Sequence, residues 1–318
     1  VTISGTATED QVLTAANTLA DEDVLGTITY TWSNGDTGST TTLGQSDVGS
    51  GLTVTATYTD GQGTGESASS AATGAVVNVN DAPSGSVTIS GTATEDQVLT
   101  AANTLADEDG LGSLSYQWNR AGSAVSGATS STYALVQSDV GNIISVTASY
   151  TDGQGEAESL TSAATGSVAN VNDTGIVVVS GTVTQGEELS ASVSDEDGIS
   201  GVTISYQWNR DGNAISDATT STYTLVQADV GAEITATASY TDQLGTGESP
   251  TSAATSSIAN VNDSGSVSVS GTVTQGQELS ANVSDADGTS GVTINYQWNR
   301  DGIAISDATT STYTLLQA

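Results

Sequence analysis

The sequence predicts an all-β chain, a tandem array of two-sheet antiparallel β-sandwiches, and three observations predict it. The string VTISGTATEDQVLTAANTLADED starts at Val1 and again at Val87, and related strings follow from Val178 (VVSGTVTQGEELSASVSDEDG) and Val267 (VSVSGTVTQGQELSANVSDADG). The chain therefore repeats itself about every ninety residues. Within each repeat, apolar residues alternate with polar ones, which is the period of a half-buried strand. Each repeat also carries an aromatic pair flanked by turn signals.

Taken in chain order, the third repeat shows each element. Val177 and Val179 mark a first strand, Leu189, Ala191 and Val193 a second, and Ile204, Tyr206 and Trp208 a third. Arg210-Asp211-Gly212 is a hairpin turn, followed by a strand with Tyr223 and Leu225. A D-V-G corner at Asp229, matched by Asp139 and Asp47, precedes the clearest strand, Ile234, Ala236, Ala238 and Tyr240. The same slots hold Leu52, Val54, Ala56 and Tyr58 in the first repeat and Ile144, Val146, Ala148 and Tyr150 in the second. The last strand, around SAATGSVANVN, has no clean register. Six or seven short strands around a central Trp fit a sandwich.

The motif N-V-N-D closes repeats one to three, giving domains 1–80, 81–172, 173–262 and 263–318. The first is shortened between its third and fifth strands: Trp32 and Asp47 lie closer than Trp118 and Asp139, and Asn34-Gly35 replaces the Arg-containing turn. The fourth ends before its corner and last two strands. The expectation there is an open sheet edge that frays or pairs with another chain.

Composition narrows the chemistry. There are 37 Asp plus Glu against 3 Lys plus Arg, a net charge of −34, and no His, Cys or Met. Catalytic triads and thiolate or imidazole metal sites cannot be assembled. A chain this acidic is repelled by phosphate backbones and anionic membranes, so no nucleic-acid partner and no direct membrane insertion are expected. Low hydropathy with high charge is also the mark of disorder, but the strict alternation argues for folded strands. Arg120, Arg210 and Arg300 are read as hairpin residues paired with nearby carboxylates. Beginning at Val1 without Met or signal peptide, the chain reads as a piece of a longer protein.

Segments such as YQWNRDGNAISDATTSTYTLVQADVGAEITATASYTD, from Tyr206 to Asp242, resemble the immunoglobulin-like repeats of large bacterial surface adhesins of the type I secreted, RTX class. That resemblance covers almost the whole chain. It implies immunoglobulin-like sandwiches, with Trp118, Trp208 and Trp298 in the core place on strand C and the D-x-G corner before strand F.

In such a topology the interdomain linker, the loop between the second and third strands, and the loop after the sixth gather at one end of a domain, and all three are acidic here. Stacked head to tail, they meet the first loop and the corner of the preceding repeat. The arrangement is similar to cadherins, whose linkers read D-x-N-D and whose neighbours supply a Glu and a D-x-D. In that pattern Asn172 and Asp173 match the linker, Glu95 the Glu, and Asp195 and Asp197 the D-x-D, while Asn170 stands where cadherins have Asp. The candidate ligands are Glu9, Asp10, Asp47, Asn78, Asn80, Asp81, Asp107, Asp109 and Asp152 at the first join. At the second they are Glu95, Asp96, Asp139, Asn170, Asn172, Asp173, Asp195, Asp197 and Asp242, and at the third Asn260, Asn262, Asp263, Asp285 and Asp287. The third and fourth repeats read TQGEE and TQGQE where the first two have the Glu, which weakens the ligand set there.

Such oxygen-only clusters suit Ca2+, which takes six to eight oxygens at about 2.3–2.6 Å. The expected function is a non-enzymatic, calcium-stiffened stalk of a bacterial cell-surface or secreted adhesin, its partners being neighbouring repeats and an unidentified ligand of a distal head. A carbohydrate-binding accessory module of a secreted hydrolase is the alternative. Catalysis by Asp195 with Asp197 is disfavoured, because two acids in one exposed loop do not span a substrate cleft.

Overall fold

Alternation becomes pleated strand in the first three repeats, while residues 292–298 of the fourth form no strand. The structure, a computed structural model, describes residues 1–317 and divides into two units, Val1–Val171 and Asn172–Ala318. Every paired ladder of strands is antiparallel. The only helical turns among the described residues are three 3-10 turns, at Gln45–Asp47, Gln137–Asp139 and Gln227–Asp229, so no helix there is long and apolar enough to cross a membrane.

In the first unit, Thr2–Ser4, Val12–Ala16 and Thr40–Thr42 form one sheet, and Thr29–Trp32, Val54–Thr59 and Gly65–Ser69 another. Both sheets contribute to one core of Leu13, Trp32, Leu43, Leu52, Val54 and Val76. The second repeat builds the same pair. Val87–Ser90, Val98–Asn103 and Thr132–Ala134 face Ser115–Arg120, Ile144–Thr151 and Ala157–Thr161, with a short Ser123–Ala124 edge, over Leu99, Trp118, Leu135, Ile144 and Val146. In the second unit, Ile176–Gly181, Glu188–Ser194 and Thr222–Thr224 pack against the sheet of Ser205–Arg210 and Ile234–Thr241 over Leu189, Trp208, Leu225, Ile234 and Ile258.

Each core is centred on its tryptophan. Trp118 and Trp208 are fully buried, and each indole N–H reaches a carbonyl at 2.9 Å, Ser130 and Thr220 respectively. Tyr133 lies over Trp118 with ring centroids 5.6 Å apart. Burying 150–250 Å2 of indole is worth about 4–6 kcal/mol. No disulfide is involved.

The ambiguous last strand resolves as a threading segment. Val76, Val168 and Ile258 point inward and are nearly fully buried, while Val77 is 60% exposed. Val76 bonds the backbone beyond the corner (Gly49, Ser50), and Val77 bonds Ala7 and Glu9 in the first loop. The segment thus bridges both in parallel, Val76 to Val48 and Val77 to Thr8. A strand whose neighbours alternate from residue to residue has no single face, and its pattern is unreadable for that reason.

In the fourth repeat, Glu278–Ser284 is the central strand and pairs with Ser266–Gly271 on one side and Thr312–Thr314 on the other. Val267 is 66% exposed there, whereas Val177 at the same position of the third repeat is 5% exposed. The turn at Asn299–Ala304 folds as expected, with Asp301 and Gly302 at positive φ.

Replacing Trp118 by Ala should cost about 3–5 kcal/mol of second-repeat stability in chemical denaturation, because the neighbours cannot close over so large a cavity. Replacing the exposed Val77 should cost little.

Candidate metal centre

The first loop of repeat one is held by its backbone: Glu9 N–H donates to Val77 O at 2.9 Å and Asp10 N–H to Leu43 O at 2.9 Å. Its side chain then turns toward the linker, and the Glu9 carboxylate, 2% exposed, accepts the N–H of Val79 at 3.1 Å. From the other side, the D-x-D loop of repeat two brings Asp109, whose Oδ2 accepts the N–H of Asp81 at 2.8 Å. Asn80 donates to Glu158 at 2.8 Å. The linker Asn78–Asp81 is therefore tied to the first loop of one repeat and to a loop and a strand of the next.

These ties leave carboxylates facing one another. Oxygens of Glu9, Asp81 and Asp109 all lie within 4.8 Å of one another, and Glu9 and Asp109 are buried. At that spacing each pair of full charges repels by about 3 kcal/mol at an effective dielectric near 20. Burial, then the negative charges of Asp109, Asp10 and Asp107, push the Asp81 carboxyl above its ordinary value. The Oδ1 of Asp109, the Oδ1 of Asn78 and the Oδ2 of Asp152 are buried and have no hydrogen-bond partner. Orphaned buried acceptors are costly and rare in native proteins.

Two further groups set the loops. Asp152 spends its Oδ1 on the N–H groups of Gln154, Gly155 and Glu156, at 2.9, 2.6 and 2.8 Å. Asp107 accepts the N–H of Asp109 at 2.9 Å and the hydroxyl of Tyr150. Burial, then the bond to Asp107, raises the Tyr150 phenol above its ordinary value, so it stays a donor wherever carboxylates are ionised. The loops meet at Gly153, where a Cβ would lie 2.5 Å from Asp109 O.

The same residue types recur further along the chain. In the first unit, Glu95 is buried and accepts the N–H of Val171 at 3.3 Å, next to Asp96 at φ 61° and the half-buried Asn170. In the second, Asp173 N–H donates to Asp197 at 3.0 Å, Asn172 to Glu248 at 2.8 Å, and Tyr240 to Asp195 at 2.6 Å, while Asp242 keeps a buried Oδ2 without a partner. At Asn260 to Asp263 the joint differs, with Gln185 in place of the Glu: Asp263 N–H donates to Asp287 at 2.9 Å, Asp287 N–H to Asp285 at 2.9 Å, and Asn262 to Asp263 O at 3.1 Å. Asn260 and Asn262 are exposed.

Two expected ligands have another role. Asp139 is fully buried at its 3-10 corner, and its carboxylate accepts Val136 N–H at 2.9 Å, the Tyr133 hydroxyl at 2.9 Å and Arg120 Nε at 2.6 Å. Asp47 accepts Gly44 N–H at 3.1 Å and Asn34 Nδ2 at 3.3 Å. Both oxygens of Asp139 and the Oδ2 of Asp47 thus bond groups of their own corners. Arg120 and Arg210 pair with nearby carboxylates, as expected, and the partners are the buried Asp139 and Asp229, at 2.6 and 2.5 Å.

A further group, beyond the candidates expected from the sequence, is Asp21, Asp23 and Asp60, with oxygens also within 4.8 Å of one another. Its signal was the same D-x-D and D-G-Q-G found at Asp107 and Asp152. The tryptophans of repeats one to three are buried and present no sugar-stacking face.

No protein-family model and no curated protein sequence matches the chain. Among solved structures it is similar to a tetra-tandem repeat in the extending region of a large adhesion protein, at 21% identity over 89% of this chain and 80% of that one, with a TM-score of 0.29. It is also similar to a Ca2+-stabilized adhesin that helps an Antarctic bacterium bind ice, at 15% identity over 87% and 78%, with a TM-score of 0.26. The three N-terminal domains of the bacteriophage RB49 outer capsid protein Hoc match at 18% identity over 79% and 92%, with a TM-score of 0.22.

Replacing Arg120 by Ala should strand the Asp139 charge and cost about 2–3 kcal/mol, less than a fully buried pair because the guanidinium is 29% exposed. Arg120→Asn, which copies the Asn34 solution of repeat one, should cost less. Denaturant unfolding of the two variants side by side checks the order.

Proposed function

We propose that the chain is a spacer segment of a bacterial adhesin, cell-surface or secreted, whose first joint is stiffened by Ca2+. One observation carries this reading: buried Glu9 from one repeat, buried Asp109 from the next and half-buried Asp81 from the linker place oxygens within 4.8 Å of each other with no cationic side chain to compensate them. Two oxygens on one calcium lie at most about 5 Å apart, so a single ion can reach all three. Asn78, Asp109 and Asp152 each hold a buried oxygen in reserve. An all-oxygen, mostly anionic donor set suits a hard cation with flexible coordination better than magnesium, which demands a near-ideal octahedron and keeps its water.

The mechanics follow from what these residues already do. Their backbone bonds fix the linker to both neighbours, and their mutual repulsion strains that fixation. Calcium bound there converts the repulsion into attraction and makes the joint stiff. At the affinities of extracellular modules, with dissociation constants of about 0.1–1 mM, the joint is firm outside a cell and slack inside it. A series of such joints holds whatever the parent protein presents at a distance from its anchor.

Titrating Ca2+ into the full chain while recording melting and small-angle scattering tests this. At a hundredfold excess over the dissociation constant, one site adds about 2.7 kcal/mol. Glu9→Gln and Asp109→Asn should each weaken that gain. A melting temperature and a scattering curve both indifferent to calcium would refute the reading.

A further inference from the structure

The joint at Asn260–Asp263 repeats the backbone of the joint at Asn78–Asp81, with one decisive side chain changed. Gln185 N–H donates to Ala259 O at 3.0 Å, as Glu9 N–H does to Val77 O. The Gln185 Oε1 accepts Val261 N–H at 3.2 Å, as Glu9 does from Val79. What remains of the side chain is a donor: Gln185 Nε2 reaches Asp263 Oδ2 at 2.8 Å. The amide orientation is fixed by the network, since a flipped carboxamide would set N–H against N–H on one side and oxygen against carboxylate on the other. At the first joint the corresponding contact is Glu9 carboxylate against Asp81 carboxylate.

The neighbouring residue changes in the same sense. Asp10 and Asp96 follow their Glu with φ of 60° and 61°, a left-handed backbone that disfavours a side chain, whereas Gly186 takes that place with φ 86° at no such cost. Repeat three has thus exchanged two negative residues for an amide and a glycine.

We propose that Gln185 closes its joint by itself, its carboxamide serving where the first joint needs a divalent cation, so that cation-dependent and cation-independent joints coexist within one chain. A hydrogen bond from a neutral amide to a carboxylate is charge-assisted and needs no ion. Only the contrast between joints rests on the calcium reading of Glu9; the amide bridge stands on its own geometry.

The chain has no cysteine, so spin labels can be placed at will. In the full chain, exposed Ser216→Cys with Ser306→Cys spans the Gln185 joint, and exposed Ser39→Cys with Ser126→Cys spans the Glu9 joint. Double electron–electron resonance should show one sharp distance for the first pair in chelator and in Ca2+ alike. The second pair should be broad in chelator and sharp in Ca2+. Gln185→Glu should transfer calcium dependence to the Ser216 and Ser306 pair, and Gln185→Ala should broaden that pair with or without the ion. The proposal is overturned if the unaltered Gln185 joint broadens in chelator, or if Gln185→Ala leaves it sharp. Should the Glu9 joint ignore calcium, the cation reading fails, and the Gln185→Ala arm still decides the amide bridge.

Discussion

Backbone hydrogen bonds hold carboxylates closer together at the first joint than their charges favour. Glu9 and Asp109 each take one linker N–H, at 3.1 and 2.8 Å, and those bonds are what bring Glu9, Asp81 and Asp109 within reach of one another. A carboxylate that spends one oxygen on the chain and keeps the other buried and unpartnered is a partly satisfied polar group, which proteins avoid unless another species completes it. The geometry of the linker and the demand for a positive charge therefore have the same origin.

The same physics appears with different solutions elsewhere in the chain. At the 3-10 corners a buried aspartate must be compensated, and repeats two and three use an arginine with a tyrosine hydroxyl, through Arg120 with Tyr133 and Arg210 with Tyr223. Repeat one has neither and uses Asn34, with Thr41 occupying the strand position of the tyrosine. At the joints, a carboxylate in repeat one becomes a carboxamide in repeat three. Near-identical backbones thus tolerate either an ionic or a neutral answer, provided every buried acceptor finds a donor.

A second level of order lies behind the acidic loops. Tyr58, Tyr150 and Tyr240 donate to the first aspartate of their D-x-D loops, Asp21, Asp107 and Asp195. Each tyrosine sits near the end of the strand that follows the corner, so the sandwich sets the position of the loop. Packing and the polar end of the domain are coupled through a single phenol.

Period-two alternation, the recurring Trp and the ninety-residue self-similarity determined the strands, the core tryptophans and the all-β class, because strand pattern and burial are local consequences of side-chain order. The acidic loops were legible as a set for the same reason, since D-x-D and N-V-N-D recur at fixed places. Which carboxylates meet was not legible. Asp139 and Asp109 look alike in sequence, yet one is consumed by Arg120 and the other keeps a buried free oxygen. Likewise the change from Glu9 to Gln185 reads as a weakened ligand in sequence and as a hydrogen-bonded bridge in three dimensions. Those distinctions depend on contacts between residues as many as 78 positions apart, and only the folded chain brings such partners within hydrogen-bond distance.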